Sequence, residues 1–134
     1  MTLAIAKESV DLGIVTRNPD AMLPFYRDFL GLDYQAETPM PGGGSMHRLL
    51  CGTSLIKLVT PGNLKDVEAP PGGLAGASGY RYWTITVTNL DEMAAKCADA
   101  SVPVNIPPTE IRPGVRIAMV EDPDGNWVEL IENA

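Results

Sequence analysis

The segment NPDAM at residues 18–22 is matched 71 positions later by NLDEM at residues 89–93. In both segments an asparagine, a residue that commonly caps a helix, comes two positions before an aspartate near the positive end of the helix dipole. A second match, at an offset of 72, relates KL at residues 57–58 to EL at residues 129–130. Matches at a nearly constant spacing predict two copies of one structural unit.

Each of the two segments opens a predicted amphipathic helix, because apolar side chains recur after it at helical spacing. The face of the first helix consists of Met22, Phe25, Tyr26, Phe29 and Leu30. The face of the second consists of Leu90, Met93, Ala94 and Cys97. Gly31 stands where a left-handed C-cap is expected, and Pro24 is expected to bend the first turn because it lacks a backbone N–H.

Eight short segments of apolar and β-branched residues predict strands, four in each half. They are residues 10–16, 32–36, 46–51 and 54–59, then 80–88, 102–106, 115–121 and 127–132. Loops rich in glycine and proline are predicted at 39–44 and 107–114, and DPDG at residues 122–125 is a strong turn signal.

The order strand, helix, three strands therefore occurs twice. The predicted half-modules are residues 8–60 and 79–133, and a connector at 61–78 joins them within a single domain of 134 residues. A half of this size cannot cover a four-stranded sheet on both faces by itself. We therefore expect an α+β fold, in which two βαβββ modules form a curved mixed sheet around a cavity and the helices cover its outer face.

The composition excludes several classes of function. The chain has 10 basic and 17 acidic residues, a net charge of -7, which opposes binding to a nucleic-acid backbone. No apolar run approaches the ~20 residues of a membrane span, and the N-terminus lacks a signal-peptide pattern. Two widely spaced cysteines, Cys51 and Cys97, are interpreted as reduced thiols. We expect a cytoplasmic protein that binds neither nucleic acid nor a membrane.

Three motifs resemble those of the vicinal oxygen chelate superfamily, which includes glyoxalases, bleomycin-resistance proteins and extradiol dioxygenases. FYRDFLG at residues 25–31 is similar to its FYRDxLG segment, and EDPDGNWVEL at residues 121–130 is similar to its DPDGNxxEL segment. VTNLD at residues 87–91 resembles its V-x-D-L-D segment, with Asn89 for the usual aspartate. The resemblance implies paired βαβββ modules, a small-molecule ligand or substrate, and a homodimer.

The resemblance also implies where a metal ion would be bound. Metalloenzymes of the family place one ligand on the first and last strand of each half, and these positions are Asp11, Lys57, Tyr82 and Glu129 in this chain. Only Glu129 keeps the usual residue type, since a lysine ammonium has no free lone pair to donate. The single histidine, His47, excludes a site with two histidines. We therefore expect neither a metal ion nor another cofactor.

Strand alternation brings the same four residues to one side, because side chains two apart share a face. Asp11, Lys57, Tyr82 and Glu129 are therefore predicted to converge as a catalytic group. The residues predicted to line their pocket and contact a substrate are Val59, Thr84, Trp127 and Ile131. The cation of Lys57 would replace a metal ion, with Asp11 and Glu129 as its partners. The alternative is a salt bridge that only fills a vestigial site.

Two further aromatic residues have alternative interpretations. His47 follows a glycine-rich loop and is a candidate ligand contact or general base, but we favour the interpretation as an edge or surface histidine. Trp127 either stacks on an aromatic ligand or fills the floor of the cavity.

Three functions follow from these residues. The first is a metal-independent lyase or isomerase, in which Glu129 or Asp11 is the base and Lys57 stabilises an oxyanion. The second is a non-catalytic protein that binds or sequesters a small molecule. The third is a divergent metal-dependent lyase or dioxygenase that uses Asp11, Glu129 and one more ligand, and the lack of nitrogen donors disfavours it.

Overall fold

A computed structural model describes all 134 residues of the chain, which divide into two compact units, Met1–Val67 and Glu68–Ala134. The first unit contains β1 (Leu12–Val15), α1 (Pro19–Pro24) continued by a π-helical segment (Phe25–Phe29), β2 (Asp33–Pro39), β3 (Gly44–Cys51) and β4 (Ser54–Pro61). The second contains α2 (Gly73–Gly76), β5 (Tyr82–Thr86), α3 (Leu90–Asp99), β6 (Val104–Arg112), β7 (Val115–Glu121) and β8 (Trp127–Asn133).

Each unit forms one four-stranded mixed sheet. The strand orders are β1-β4-β3-β2 and β5-β8-β7-β6, so the last strand of each unit lies beside the first. The pairs β1–β4 and β5–β8 are parallel, and the remaining pairs are antiparallel. The predicted α+β fold of two βαβββ modules is confirmed.

A helix covers one face of each sheet with the apolar residues that the sequence predicted. In the first unit α1 packs on β4, and Met22, Tyr26, Ile56 and Leu58 are almost completely buried. In the second unit α3 packs on β6, β7 and β8, and Leu90, Val128 and Leu130 are equally inaccessible. Burial of each large apolar side chain stabilises the fold by about 1.5–3 kcal/mol. No helix in the structure has the length and hydropathy needed to cross a membrane.

The first helix differs from the prediction at Pro24. The sequence predicted a bend, but the helix instead widens into a π turn directly after the proline, where the backbone N–H of Leu30 donates to Phe25 over 2.9 Å. The proline has no N–H to continue the α-helical hydrogen bonds, so the ladder is already interrupted there. Gly31 then ends the helix with a φ of 83°, as the sequence predicted.

Two segments predicted as irregular contain regular structure. The prediction of a loop at 107–114 was wrong for residues 107–112, because β6 continues to Arg112. The register of β6 shifts around Pro107 and Pro108. Since β6 is an edge strand, prolines without an N–H are tolerated in it. The connector, in turn, contains the single helical turn of α2.

The turn between β7 and β8 is organised by a buried carboxylate. Asp122 is 3% exposed, and its Oδ1 accepts hydrogen bonds of 2.9 Å from the backbone N–H groups of Asp124 and Asn126. Gly125 supplies the left-handed residue of the turn, with a φ of 88°. Asp122 therefore fixes where β8 begins and which of its side chains project to each face.

We expect Asp122→Ala to lower the free energy of unfolding by about 1–3 kcal/mol, since it leaves two backbone donors without their acceptor. Asp122→Asn keeps one acceptor oxygen, so it should lower the free energy of unfolding by less. Urea unfolding followed by circular dichroism measures both. The control Asp99→Ala, at an exposed helix end, should change the value by less than about 0.5 kcal/mol, and an equal loss in both variants would contradict this role.

Candidate functional site

The pairing of β4 with its neighbours decides which side chains share a face of the first sheet. Lys57 lies opposite Gly13 of β1 and opposite Arg48 of β3, and Arg48 lies opposite Ala36 of β2. Paired residues project to the same side, so these four residues form one row across all four strands. The residues adjacent to Lys57 along β4 are almost fully buried on the other side, towards α1.

We name the side away from α1 the Lys57 face. Its residues are Gly13, Val15, Ala36, Met46, Arg48, Lys57 and Val59. Val59 lies one row along from Lys57, opposite Val15 and Met46, and forms an apolar surface beside the charged row.

Arg48 is a residue of this face that the sequence reasoning missed. The predicted hairpin already contained the signal. A two-residue turn at Gly52 and Thr53 pairs Cys51 with Ser54, and counting three residues further along each strand pairs Arg48 with Lys57. Both side chains are partly buried, and neither has a hydrogen-bond acceptor or an ion-pair partner in the structure. Two positive charges therefore lie side by side without a neutralising carboxylate in contact.

Asp11, which precedes β1, binds Lys7 instead of Lys57. Its Oδ1 accepts hydrogen bonds from Nζ of Lys7 at 2.6 Å and from the backbone N–H of Leu55 at 2.8 Å. The hydrogen bond from Lys7 is the largest cause that lowers the pKa of Asp11 below its ordinary 3.8, and the hydrogen bond from Leu55 is the second. Lys57 contributes only the attraction of its charge. The ion pair that we expected between Lys57 and Asp11 does not form, and the carboxylate binds Lys7 through Oδ1 instead.

In the second sheet the corresponding row carries a negative charge. Glu129 lies between Thr84 of β5 and Met119 of β7, and Oγ1 of Thr84 donates to Oε1 of Glu129 over 2.8 Å. Met119 is almost fully buried, so the carboxylate has a polar neighbour on one side and an apolar neighbour on the other. The single hydrogen bond orients the carboxylate and leaves Oε2 without a protein donor.

The other residues predicted for the second half share this face with Glu129. Tyr82 lies opposite Trp127 in the neighbouring row and is 47% exposed. Ile131 lies opposite Thr86 in the row on the other side. The face assignments made from strand alternation therefore agree with the strand register in this unit.

Trp127 is covered by the chain segment that precedes β5. The indole ring packs against Gly73, and its Nε1 donates to Glu121 over 3.2 Å. Arg81 holds this segment in place, because its guanidinium donates to the backbone carbonyls of Gly73, Pro70 and Pro71 at 2.7, 2.8 and 3.2 Å. Sequence reasoning had given Arg81 no role, since its acceptors are main-chain atoms that no side-chain pattern reveals.

His47 lies on the other side of the first sheet from Lys57. It is paired with Leu58, whose side chain is buried towards α1, and its Nδ1 is 3.0 Å from the hydroxyl of Tyr34. Its Nε2 is 3.7 Å from Oε2 of Glu37. The structure therefore does not bring His47 together with Lys57, and its neighbours already account for both ring nitrogens.

The two cysteines do not add a nucleophile to the candidate site. Cys97 is fully buried and Cys51 is partly buried, and neither forms a disulfide. Burial raises the pKa of both thiols, so the reactive thiolate is a minor species near neutral pH.

The residues at the four family metal positions do not fit a divalent metal ion. Lys57 carries a positive charge, and one oxygen of Asp11 is already bound by Lys7 and Leu55. No group of three or more His, Cys, Asp or Glu side chains is arranged to hold a metal ion. The donor chemistry at these positions therefore favours an anion beside Lys57 over a metal cation.

Comparison with known proteins agrees with the sequence motifs. The family model of the Glyoxalase/Bleomycin resistance protein/Dioxygenase superfamily matches residues 9–130. A glyoxalase family protein from Bacillus cereus superposes with a TM-score of 0.79 at 18% identity, over 97% of this chain and 99% of that chain. A comparison with proteins of curated function finds no match.

Two solved structures with stated functions have the same fold. A lactoylglutathione lyase from Agrobacterium tumefaciens superposes with a TM-score of 0.70 at 23% identity, over 96% of each chain. An antibiotic-binding protein from a Streptomyces species superposes with a TM-score of 0.69 at 21% identity, over 97% of this chain and 99% of that chain. The fold therefore occurs both in enzymes and in binding proteins, and the choice between them depends on the site.

We expect Lys7→Met to raise the pKa of Asp11 towards its ordinary 3.8, since the variant removes the largest cause that lowers it. A carboxylate with a lowered pKa stabilises the fold above its unfolded-state pKa, and this contribution is lost as the pH falls through the lowered value. Titration of the Asp11 side-chain carboxyl carbon by NMR measures the change. Lys65→Met is the control, and an unchanged titration in Lys7→Met would show that Leu55 alone sets the pKa.

We expect Gly73→Ala to destabilise the second unit by roughly 2–4 kcal/mol. Its φ of 57° favours glycine, and a Cβ there would overlap the indole of Trp127. Gly79→Ala is the matched control, because Gly79 also has a positive φ but a Cβ would meet nothing within 4 Å. Thermal unfolding compares the two variants, and equal losses would mean that backbone conformation alone is responsible.

Proposed function

Because the chain belongs to the Glyoxalase/Bleomycin resistance protein/Dioxygenase superfamily, we propose that it binds a small organic molecule on the Lys57 face, with a protein cation in place of a metal ion. The observation that supports this most directly is that Lys57 is a partly buried residue whose ammonium has no partner in the structure. A charge that is partly removed from water and left unpaired lowers stability, and a ligand that pairs with it removes that cost.

Binding is the function that the geometry supports best. Asp11 is a poor general base, because two hydrogen bonds stabilise its ionised form and lower its pKa. The Lys57 face combines a charged row with an adjoining apolar row of Val15, Val59 and Met46. Small-molecule sites commonly have this combination of apolar surface and a few polar anchors.

A metal-independent lyase or isomerase is the second candidate, and the hydrogen bond between Thr84 and Glu129 favours it. This bond holds one oxygen of the carboxylate and leaves Oε2 available to accept a proton. A carboxylate positioned in this way suits a general base that removes a proton next to a carbonyl group. The homodimer and the cytoplasmic location stay predictions from the sequence.

A screen of small organic molecules by NMR tests the binding proposal. We expect ligands to shift the backbone amide signals of β1, β3 and β4, and Lys57→Met to weaken their binding by about tenfold or more, the effect of losing one charged hydrogen bond. Lys65→Met, at an exposed lysine, should leave the affinities unchanged. Ligands that shift only signals elsewhere, or that bind Lys57→Met equally well, would contradict the proposal.

Two measurements on the same samples separate the alternatives. Elemental analysis should find no stoichiometric divalent metal, and a metal ion that is lost in Glu129→Gln would overturn the metal-independent part of the proposal. Each bound molecule is also incubated with the protein in D₂O and followed by proton NMR. A binding protein leaves the molecule unchanged, whereas exchange of a carbon-bound proton that disappears in Glu129→Gln would establish the enzymatic candidate.

A further inference from the structure

Five cationic side chains of the chain are partly buried, and three of them have acceptors in the structure. Arg27 binds Asp28, Arg116 binds Asp91 through two hydrogen bonds, and Arg81 binds three backbone carbonyls. The remaining two, Arg48 and Lys57, have no acceptor. The two unpartnered cations are also the two that lie opposite each other in a sheet.

Placing two like charges in this position destabilises a sheet. Side chains that are directly opposite on antiparallel strands have Cβ atoms about 4.5–5.5 Å apart, and like charges there repel each other. Asp11 reduces this repulsion only through its distance-dependent attraction to Lys57, since its carboxylate binds Lys7. The arrangement is stabilised when a negatively charged group contacts both cations.

The ends of the row leave space for such a group. The sheet presents Gly13 beside Lys57 and Ala36 beside Arg48, so within this row each long cationic side chain has a small residue on the side away from the other cation. A Cβ added at Gly13 would have no atom within 4 Å, which shows that the space there is empty. The forked guanidinium of Arg48 suits two oxygens of one anionic group, and the ammonium of Lys57 adds a point charge.

The next row along the strands is apolar on β1, β4 and β3 and ends at Thr38 of β2. Val15, Val59 and Met46 lie side by side there, and Val15 is 55% exposed. A ligand whose charged end contacts Arg48 and Lys57 would therefore place its other end on aliphatic and thioether surface. This surface favours a hydrocarbon or aromatic body over a sugar or a second charged group.

We propose that Arg48 and Lys57 together bind the anionic group of a small organic acid whose apolar body lies on Val59 and Met46. This inference rests on the proposed function, because it names the class of ligand for the same face. It makes Arg48 the residue that selects an anion over a neutral molecule. The net charge of -7 of the whole chain does not oppose it, since exposed charges farther than the ~10 Å Debye length are largely screened at ordinary salt.

A pair of nearly identical probes tests the selection of charge. 2-Naphthoate has a carboxylate and an aromatic body, and 2-naphthamide has the same shape without the charge. We expect naphthoate to bind the Lys57 face at least tenfold more tightly, as judged by NMR titration of the β3 and β4 amide signals. Arg48→Met should markedly weaken that preference, because Lys57 alone then binds the carboxylate, and Arg112→Met, at an exposed arginine, should keep it. Inorganic phosphate, which lacks an apolar body, should bind more weakly than naphthoate.

The outcomes separate this inference from the proposed function. If both naphthoate and naphthamide bind the Lys57 face equally well, small-molecule binding stands and the selection of an anion is overturned. If neither probe shifts the signals of that face, both proposals are overturned for aromatic ligands of this size. If phosphate binds as tightly as naphthoate, the anionic site stands and the role of Val59 and Met46 is overturned.

Stability provides a second measurement that does not depend on a probe. Replacement of one of two repelling cations should stabilise the ligand-free protein, so Arg48→Met and Lys57→Met should each unfold at a temperature no lower than the wild type. The double variant should be no more stable than the more stable single variant, because the repulsion disappears with the first substitution. A marked loss of stability in both single variants would show that the two side chains stabilise the fold and would overturn the proposal.

Discussion

The parallel pairing of the first strand of each unit with the last is the constraint on which the rest of the structure depends. It makes β4 and β8 central strands, each with a neighbour on both sides. A parallel pair cannot be closed by a short turn, so the intervening chain must cross over the sheet, and the helix does so while covering one face. The helix does not cover the other face of the sheet, and every second side chain of each strand projects from that face. Lys57 is the single charged residue of β4, and Glu129 is one of two charged residues of β8.

The two units have equivalent strand orders but opposite charges at equivalent positions. Lys57 and Glu129 occupy the same place in their sheets, each beside the first strand of its unit. Their neighbours on the other side are also different, since Arg48 adds a second cation in one unit and Met119 adds an apolar contact in the other. A fold that uses both positions for carboxylates suits a metal cation, whereas this chain has opposite charges there. The fold therefore does not by itself determine the chemistry of its site.

Much of this arrangement could be predicted from the sequence, because the relevant signals are local. The helical spacing of Met22 and Tyr26 and the hairpin turn at Gly52 each depend on neighbours in the chain. Asn18 and Asn89 also stand at the helix starts, as predicted, but neither side chain makes a capping hydrogen bond. The features that escaped prediction depend on irregular backbone, on main-chain acceptors or on the order of the strands. Lys7 binds Asp11 in a segment without regular structure, and Arg81 binds main-chain carbonyls. The continuation of β6 through two prolines depended on its place at the sheet edge, which only the strand order reveals.

The contact between Gly73 and Trp127 has a practical consequence. The indole is one of two tryptophans in the chain, and it touches the segment that Arg81 holds by hydrogen bonds to its backbone. Departure of that segment would expose the ring to water and shift its emission to longer wavelength. With Trp83 replaced by phenylalanine, the protein would carry an intrinsic optical reporter of whether residues 70–73 are seated on β8. Such a reporter would follow movements of the connector in real time, without any added label.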